Sequence, residues 1–334
     1  MRITIIKPGM LTTIQDMGRK GYQKFGIIES GAMDQYSLQV ANILVGNSRQ
    51  EAALEVTLLG PTLHFNAKRL ISICGGDFTP TINGEEVPQW RPVLVEAGTT
   101  LKMGAAEEGI RAYISISGGI DVHKVMGSRS TYLRAGIGGY QGRALQAGDV
   151  LQVRDTESSR NLISTFYPKK DKSFMSIPKL VSERVRPNYS SNPYIRVIKG
   201  KEFDLFTKES KVALLSDSFK VLPNSDRMGY RLEGPSLNLS ETKEMISEAV
   251  TFGTIQVPTN KQPIVLMADR QTTGGYPRIG QVVGVDLPIL AQLNFGSKIR
   301  FKAMTLYEAQ KLYIKREEGL RLLHYLVRTE LFNK

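Results

Sequence analysis

The 334-residue sequence holds one cysteine, Cys74, and three histidines, His64, His123 and His324. A lone thiol closes no intrachain disulfide and builds no multi-cysteine zinc site. Cys74 lies in RLISICGG, an apolar strand-like run, where a thiol reads as a buried inert group rather than a nucleophile. The histidines fall in unrelated contexts with no HExxH or other ligand spacing, so no metal site is expected. No run approaches the roughly 18 apolar residues that a membrane-spanning helix needs. The first residues, MRITIIKPGM, lack the apolar core and small-residue cleavage site of a secretory leader. Together these absences predict a cytoplasmic protein without a membrane role. Phosphate and acyl-transfer signatures are missing as well. There is no GxxxxGKS or GxxxxGKT loop and no GxSxG elbow. Gly136–Gly142, GIGGYQG, fails the spacing of a dinucleotide fingerprint and has no βαβ context.

Positive charge is abundant, at a net +12, but unevenly placed. Residues 155–201 carry ten Lys/Arg against four Asp/Glu, and residues 298–334 carry nine against four. The rest of the chain is nearly neutral. A nucleic-acid module would interleave its basic residues with stacking aromatics on one face, so no nucleic-acid partner is expected. The excess reads as solubility or attraction to an acidic partner.

Hydrophobic residues make up 41% and charged residues 23%, ordinary values for globular domains. Short β-branched runs bounded by Gly, Pro and Asn recur: RITIIKPG, LISICGG, VLVEAGTTLKMG, RAYISISGG, PIVLMADR and SKIRFKAM. That spacing predicts many short strands in a sandwich or barrel. Three helices are expected. One covers Asp34–Val45 with Asp34 as N-cap, a weaker one covers Phe203–Leu215, and a C-terminal one opens on the capping box Thr305–Glu308. Residues 156–193, rich in Ser, Lys and Pro, break the strand rhythm and read as a linker between domains at 1–155 and 194–334. The two sides echo one another in order. LGPTLHF (59–65) matches EGPSLNL (233–239), AYISISGG (112–119) matches VLMADRQTTGG (265–275), and LQAGDVL (145–151) matches LNFGSKI (293–299). This order suggests duplication of one β domain, with function in or beside the groove between the copies.

Polar, glycine-containing runs stand where strand packing does not require them. They are LTTIQDMGRKG with Gln15, Asp16 and Arg19, SGAMD with Ser30 and Asp34, and GSRST with Ser128, Arg129, Ser130 and Thr131. Further along come SDRMGYR with Ser225, Asp226, Arg227 and Arg231, and IQVP with Gln256. The longest is MADRQTTGGYP, Met267–Pro277, where an apolar strand gives way to eight polar, glycine or tyrosine residues. Arg forks match carboxylate or phosphate oxygens, Gln and Thr serve an amide or ureido group, and paired glycines let backbone N–H groups approach an oxyanion. Asp269 can hold an Arg in place or accept a proton. On this reading Asp269, Arg270, Gln271, Thr272, Thr273 and Tyr276 are the catalytic candidates. Gly274, Gly275 and the residues of the other runs bind substrate. The same residue types also fix loops and satisfy strand ends, so each run has a purely structural alternative.

In order, and over nearly the whole chain, these runs resemble the biotin-dependent carboxyltransferase-like family described as allophanate hydrolase subunit 2 or as the 5-oxoprolinase C subunit. KipA-type proteins, which relieve a sporulation-kinase inhibitor, are part of it. The resemblance implies a mainly β protein of two tandem cyclophilin-like β-barrel domains, with a few short helices and a C-terminal helix. It implies one component of an ATP-dependent 5-oxoprolinase, a hydrolase that opens 5-oxo-L-proline to L-glutamate. Such a chain is inactive alone and works in a hetero-oligomer with the cyclophilin-like B subunit of 5-oxoprolinase and its LamB/YcsF-type A subunit. ATP is then a cosubstrate of the complex, bound on a component the sequence does not identify. One alternative is carboxyl transfer from carboxybiotin to urea or an amide. Lys102–Met103 lacks the surrounding Ala-Met-Lys-Met pattern, so biotin would arrive on another protein. A second alternative is a regulatory binding protein that sequesters a cyclophilin-like kinase inhibitor.

Overall fold

A computed structural model describes residues 1–332 except 165, 167–171, 177–180, 183–185 and 242, with the side chains of 330–332 also left aside. Alternation is the local rule behind most strands. In Arg2–Lys7, Ile3 and Ile5 are buried while their neighbours turn outward, the period-2 pattern of a strand with one face on a core. Arg69–Asp77 is different, being buried along nearly all of its length. It packs on the core with one face and on helix α1 (Gln35–Leu44) with the other, which a continuous apolar run permits. Asp34 caps α1 by accepting from Ser37 N at 2.9 Å, as the sequence predicts.

The chain divides into two compact units. The first comprises Met1–Gly18, Asp34–Pro187 and Glu318–Lys334. It contains two six-stranded sheets. One runs Val150–Gln152, Arg2–Lys7, Thr62–Phe65, Thr99–Lys102, Thr81–Ile82, Glu85–Glu86. The other runs Phe174–Ser176, Val93–Val95, Arg69–Asp77, Glu108–Ile116, Ala53–Thr57, Leu11–Gln15. Ile3, Ile5, Leu63, Phe65 and Leu101 of the first sheet share one core with Leu54, Val56, Ile71, Ile73, Ile114 and Ile116 of the second.

The second unit comprises Arg19–Met33 and Asn188–Glu317. Seven strands close into a barrel in the order Tyr194–Lys199, Arg278–Val282, Thr254–Gln256, Ile264–Leu266, Gly229–Glu233, Ser218–Val221, Lys298–Ala303. Closure depends on a parallel pairing of Tyr194–Lys199 with Lys298–Ala303, with Ile195 opposite Phe301. Phe219 and Phe301 fill the interior with ring centroids 5.6 Å apart. A separate two-stranded piece joins Glu248–Ala249 to Thr273–Gly274.

The expectation of two tandem cyclophilin-like barrels is corrected by this topology. Among the described residues only the second unit contains a closed barrel, and the first has two open sheets. Among the described residues five helices accompany them, so the fold is mixed α/β. Alternation in sequence reports that one face of a strand is buried; it does not report whether the first and last strands of a sheet pair to close it.

The remaining helices are α2 (Glu157–Ser164), α3 (Lys208–Ser216), α4 (Leu287–Ala291) and α5 (Leu306–Phe332). Residues 156–193 carry α2 and the strand Phe174–Ser176, which pairs with Val93–Val95 of the first unit. The rest of that stretch lies partly outside the described residues. The capping box is formed, Thr305 N and Oγ1 donating to Glu308 Oε2 at 2.9 and 2.7 Å. Among the described residues no helix is long and apolar enough to cross a membrane, and no group of side chains could hold a metal ion.

Phe301 is 1% exposed at the closing seam of the barrel. Phe301→Ala is expected to cost about 3–5 kcal/mol and to speed hydrogen exchange in the paired strands Tyr194–Lys199 and Lys298–Ala303. Unaltered exchange there would show that the seam does not depend on this side chain.

Candidate functional site

Strand Ile264–Leu266 leaves the barrel through Met267 and Ala268, which are 0% and 1% exposed and belong to the barrel core. The next turn is pinned to the neighbouring hairpin. Met267 N donates to Met228 O at 2.9 Å, and Asp269 N donates to Arg227 O at 2.7 Å. The first residues of the motif are buried, and most of those that follow reach the surface. Asp269 and Arg270 are 6% and 7% exposed, Gln271 and Thr272 are half-buried, and Tyr276 is 46% exposed. The buried half anchors the run and the exposed half presents it.

Asp269 is the centre of the anchor. Arg227 meets it with a fork, Nε to Oδ2 at 2.9 Å and Nη2 to Oδ1 at 3.0 Å. Ser30 Oγ donates to the same Oδ1 at 2.8 Å, and Arg227 Nη2 also donates to Gly31 O at 2.5 Å. Both side chains of the ion pair are about nine-tenths buried. At such depth a carboxylate and a guanidinium are tolerated only together, with their remaining bonding capacity satisfied. Ser30 and Gly31 have φ of 56° and 94°. Ser30 is thus held in the left-handed region that side chains rarely adopt, by the bonds its loop makes to Asp269 and Arg227. Arg270 forms a short ion pair with Glu29 of the same loop. Its guanidinium also lies 6.0 Å from the Phe252 ring centroid.

The exposed half rests on Gln256, which is 2% exposed at the end of strand Thr254–Gln256. Gln271 Nε2 donates to Gln256 Oε1 at 3.3 Å, and Gln256 Nε2 donates to Tyr276 O at 3.5 Å. The Gln256 amide packs closely on Gly274, where a Cβ would stand 2.4 Å from Gln256 Nε2 and push that amide aside. Immediately after the motif Arg278 is chelated by two carboxylates. Glu202 accepts from its Nη2 and Nε at 2.7 and 2.8 Å and from its backbone N at 3.0 Å. Glu248 accepts from the same Nη2 at 2.6 Å and from Lys201 Nζ at 2.5 Å. Burial opposes charge on Glu202, but the hydrogen bonds from Arg278 outweigh it and hold the carboxyl below its usual range. Hydrogen bonds from Lys201 and then Arg278 do the same for Glu248.

In the first unit Asp16 is the hub of a different cluster. Its Oδ1 accepts from Gly18 N, Ser128 Oγ and Ser130 Oγ at 2.8, 2.7 and 2.6 Å, and its Oδ2 accepts from Arg129 N at 2.6 Å. Gln15 Nε2 donates to Thr131 O at 3.1 Å, while Thr131 Oγ1 donates to Ile14 O at 2.9 Å. The Arg129 side chain reaches Val122 O at 2.9 Å and Glu51 at 3.3 Å. Asp34, besides capping α1, donates its N–H to the Tyr113 hydroxyl, which in turn donates to Glu55 Oε2, each at 2.7 Å. Burial and the neighbouring Glu55 push the Tyr113 hydroxyl well above its usual pKa.

The sequence candidates therefore fall into two groups. Ser30, Arg227, Gln256 and Asp269–Tyr276 come together in the second unit, with Arg19 fully buried and its N–H donating to Glu29 O at 2.7 Å. Gln15, Asp16 and Ser128–Thr131 come together in the first. Ser225 and Asp226 shape a hairpin turn. Asp226 Oδ1 accepts from Met228 N at 2.8 Å, and Ser225 Oγ accepts from Arg231 N at 3.0 Å. Arg231 sits on the exposed side of strand Gly229–Glu233. Glu29, Lys201, Glu202, Glu248 and Arg278 were not among the candidates. Glu29 directly precedes Ser30 and Arg278 directly follows Pro277, so extending each run by one residue would have found those two. Nothing local marks the other three.

Residues 25–303 match the family "Carboxyltransferase domain, subdomain A and B". The chain is 39% identical to the 5-oxoprolinase C subunit of Haemophilus influenzae, over 94% of this chain and 95% of that protein. To the 5-oxoprolinase C subunit of Escherichia coli it is 37% identical, over 92% and 93%. Its fold is similar to that of the Kluyveromyces lactis urea carboxylase crystal structure, with a TM-score of 0.87 and 31% identity. That match covers 96% of this chain but 29% of the larger protein.

Glu202 provides a pH test of the ion pair that fixes Arg278. With its folded pKa below the ordinary value of 4.5, its ion pair contributes fully above about pH 4.5 and is lost as pH falls through the lower folded value. Glu202→Gln is expected to lower the urea midpoint at pH 7, with the gap to the native protein closing as pH falls through the lowered folded value. A gap that stays constant over that range would mean that Glu202 does not act through its charge.

Proposed function

The chain belongs to the carboxyltransferase domain family, and on that premise we propose that it is the C subunit of an ATP-dependent 5-oxoprolinase. One observation carries the reading: the similarity to the 5-oxoprolinase C subunits covers more than nine-tenths of this chain and of each of those proteins. The reaction is 5-oxo-L-proline, ATP and two waters to L-glutamate, ADP and phosphate. The lactam oxygen takes the γ-phosphoryl group from ATP as ADP leaves, one water adds to the activated carbon, and the C–N bond breaks with the nitrogen leaving protonated as the amine. A second water then cleaves the resulting acyl phosphate to the carboxylate of glutamate and free phosphate. The LamB/YcsF-type and cyclophilin-like partners complete the enzyme. ATP is a cosubstrate of the whole complex, and no residue of this chain is assigned to it.

Within this chain the division of labour follows burial. Asp269, Arg227 and Ser30, with Arg270 and Glu29, hold the turn rigid. Gln271, Thr272, Thr273 and the N–H group of Gly275 supply donors for the amide oxygen and the anion that develops on it, with Gly274 letting the backbone come close. Donors fixed before the reaction stabilise such charge without reorganising, which is the larger part of their effect. Tyr276 flanks them at the open edge.

The likeness to urea carboxylase supports a second reading, carboxyl transfer from carboxybiotin to an amide nitrogen. The chain spans less than a third of that protein, and this reading needs a biotinylated carrier to deliver the carboxyl group.

The purified chain alone is expected to release no glutamate from 5-oxoproline, and addition of the two partners with ATP is expected to restore release. Thr273→Val together with Gln271→Ala should lower kcat in the trio by roughly 100-fold or more while complex formation is retained. A trio without turnover, set beside carboxylation of urea or an amide when a biotinylated carrier is added, would select the second reading.

A further inference from the structure

Residues 243–250 form a strap along the exposed half of the motif. Gly274 and Gly275 lie between two supports. The Gln256 amide is packed against Gly274, and a Cβ on Gly275 would stand 3.1 Å from Ser247 Oγ and 3.6 Å from Met245 O of the strap. Among the described residues the strap is held chiefly at its C-terminal end, where Val250 is 6% exposed and its carbonyl accepts from Arg270 Nε at 3.5 Å. Its own secondary structure is the two-residue strand Glu248–Ala249, paired with Thr273–Gly274. Val250 N donates to Thr272 O at 3.1 Å, and Arg278 Nη1 donates to Ala249 O at 3.4 Å. Ile246 at its tip is 86% exposed. The strongest restraint is Glu248, bonded on one side to Lys201 and on the other to Arg278, whose position Glu202 has already set.

We propose that Glu248 is a positioning residue for the candidate site: by latching the strap to Lys201 and Arg278 it holds the Thr272–Gly275 backbone in the shape that meets substrate. The proposal rests on the functional reading above, though the latch has a readout of its own. Four features bear on it. The latch is ionic and partly exposed, so it is adjustable where a buried apolar contact would be fixed. The backbone it positions contains two glycines, the residues least able to hold a conformation unaided. Arg278 is shared between the buried support, Glu202, and the exposed one, Glu248. The apolar tip, Met245 and Ile246, is carried on the latched segment, next to where a small ligand on Thr272–Gly275 would lie.

Two measurements test the latch together. Lys243 is exposed at the start of the strap and is a trypsin site whose cleavage can be followed by fragment mass. In Glu248→Gln, cleavage after Lys243 is expected to rise about fivefold, the scale of a partly exposed ion pair. Cleavage of the native chain should quicken between about 0.05 and 0.5 M salt while that of the variant does not, because salt screens only the charged latch. In the reconstituted trio Glu248→Gln should raise KM for 5-oxoproline with kcat within about twofold, the signature of lost ground-state positioning. Glu248→Asp should recover part of both effects. Native-like cleavage in Glu248→Gln would overturn the latch, and faster cleavage with an unchanged KM would overturn its positioning role. If the native trio itself fails to turn over, the functional reading falls while the proteolysis still decides the latch.

Discussion

A buried carboxylate needs a partner, and the second unit is organised around giving Asp269 one. Asp269 sits at the point where a core strand ends, too deep to be solvated by water and fixed by its backbone bond to Arg227 O. Arg227 neutralises it in a fork, and Ser30 takes up further bonding capacity. Removing one member leaves the other charge buried alone, a far larger cost than the pair's net contribution. Three separated stretches of chain are thereby tied to one carboxylate. The polar turn that follows inherits its position from that tie.

The excursion of Arg19–Met33 shows the consequence. The residues before and after it belong to the first unit, yet it clusters with the barrel. Met33, 0% exposed, joins the barrel core, Glu29 pairs with Arg270, and Gly31 O receives the Arg227 guanidinium. One apolar plug and three polar ties, Ser30 to Asp269 being the third, hold the segment to the barrel. The left-handed Ser30 is a local cost that those ties offset.

The two polar clusters use similar residues for different ends. Around Asp16 the hydroxyls of Ser128, Ser130 and Thr131 are 0% exposed and each has an internal acceptor. That arrangement ties loops together. Along Gln271–Tyr276, by contrast, side chains lead outward from a buried anchor, and the supports of Gln256 and the 248–250 segment act on backbone. It is on this outward run that the proposed donors lie.

Local signals settled much by themselves. The Asp34 cap, the Thr305–Glu308 box and the alternating apolar runs act over a few residues, so their physics is complete in the sequence and the corresponding helices and strands form. MADRQTTGGYP stood out for the same reason, as more polarity than a turn after a core strand needs. Its family was legible through the order of several such runs. Tertiary structure alone decided the rest. Barrel closure depends on a parallel pairing between strands at opposite ends of the second unit, which period-2 patterning does not encode, and so one barrel and two open sheets stand where two barrels were expected. Whether a hydroxyl is spent or available depends on a partner far along the chain, as Ser128 and Asp16, 112 residues apart, illustrate. The same distance hides Glu202 and Glu248 from any local reading, because a carboxylate acquires its role only when folding brings its guanidinium within reach.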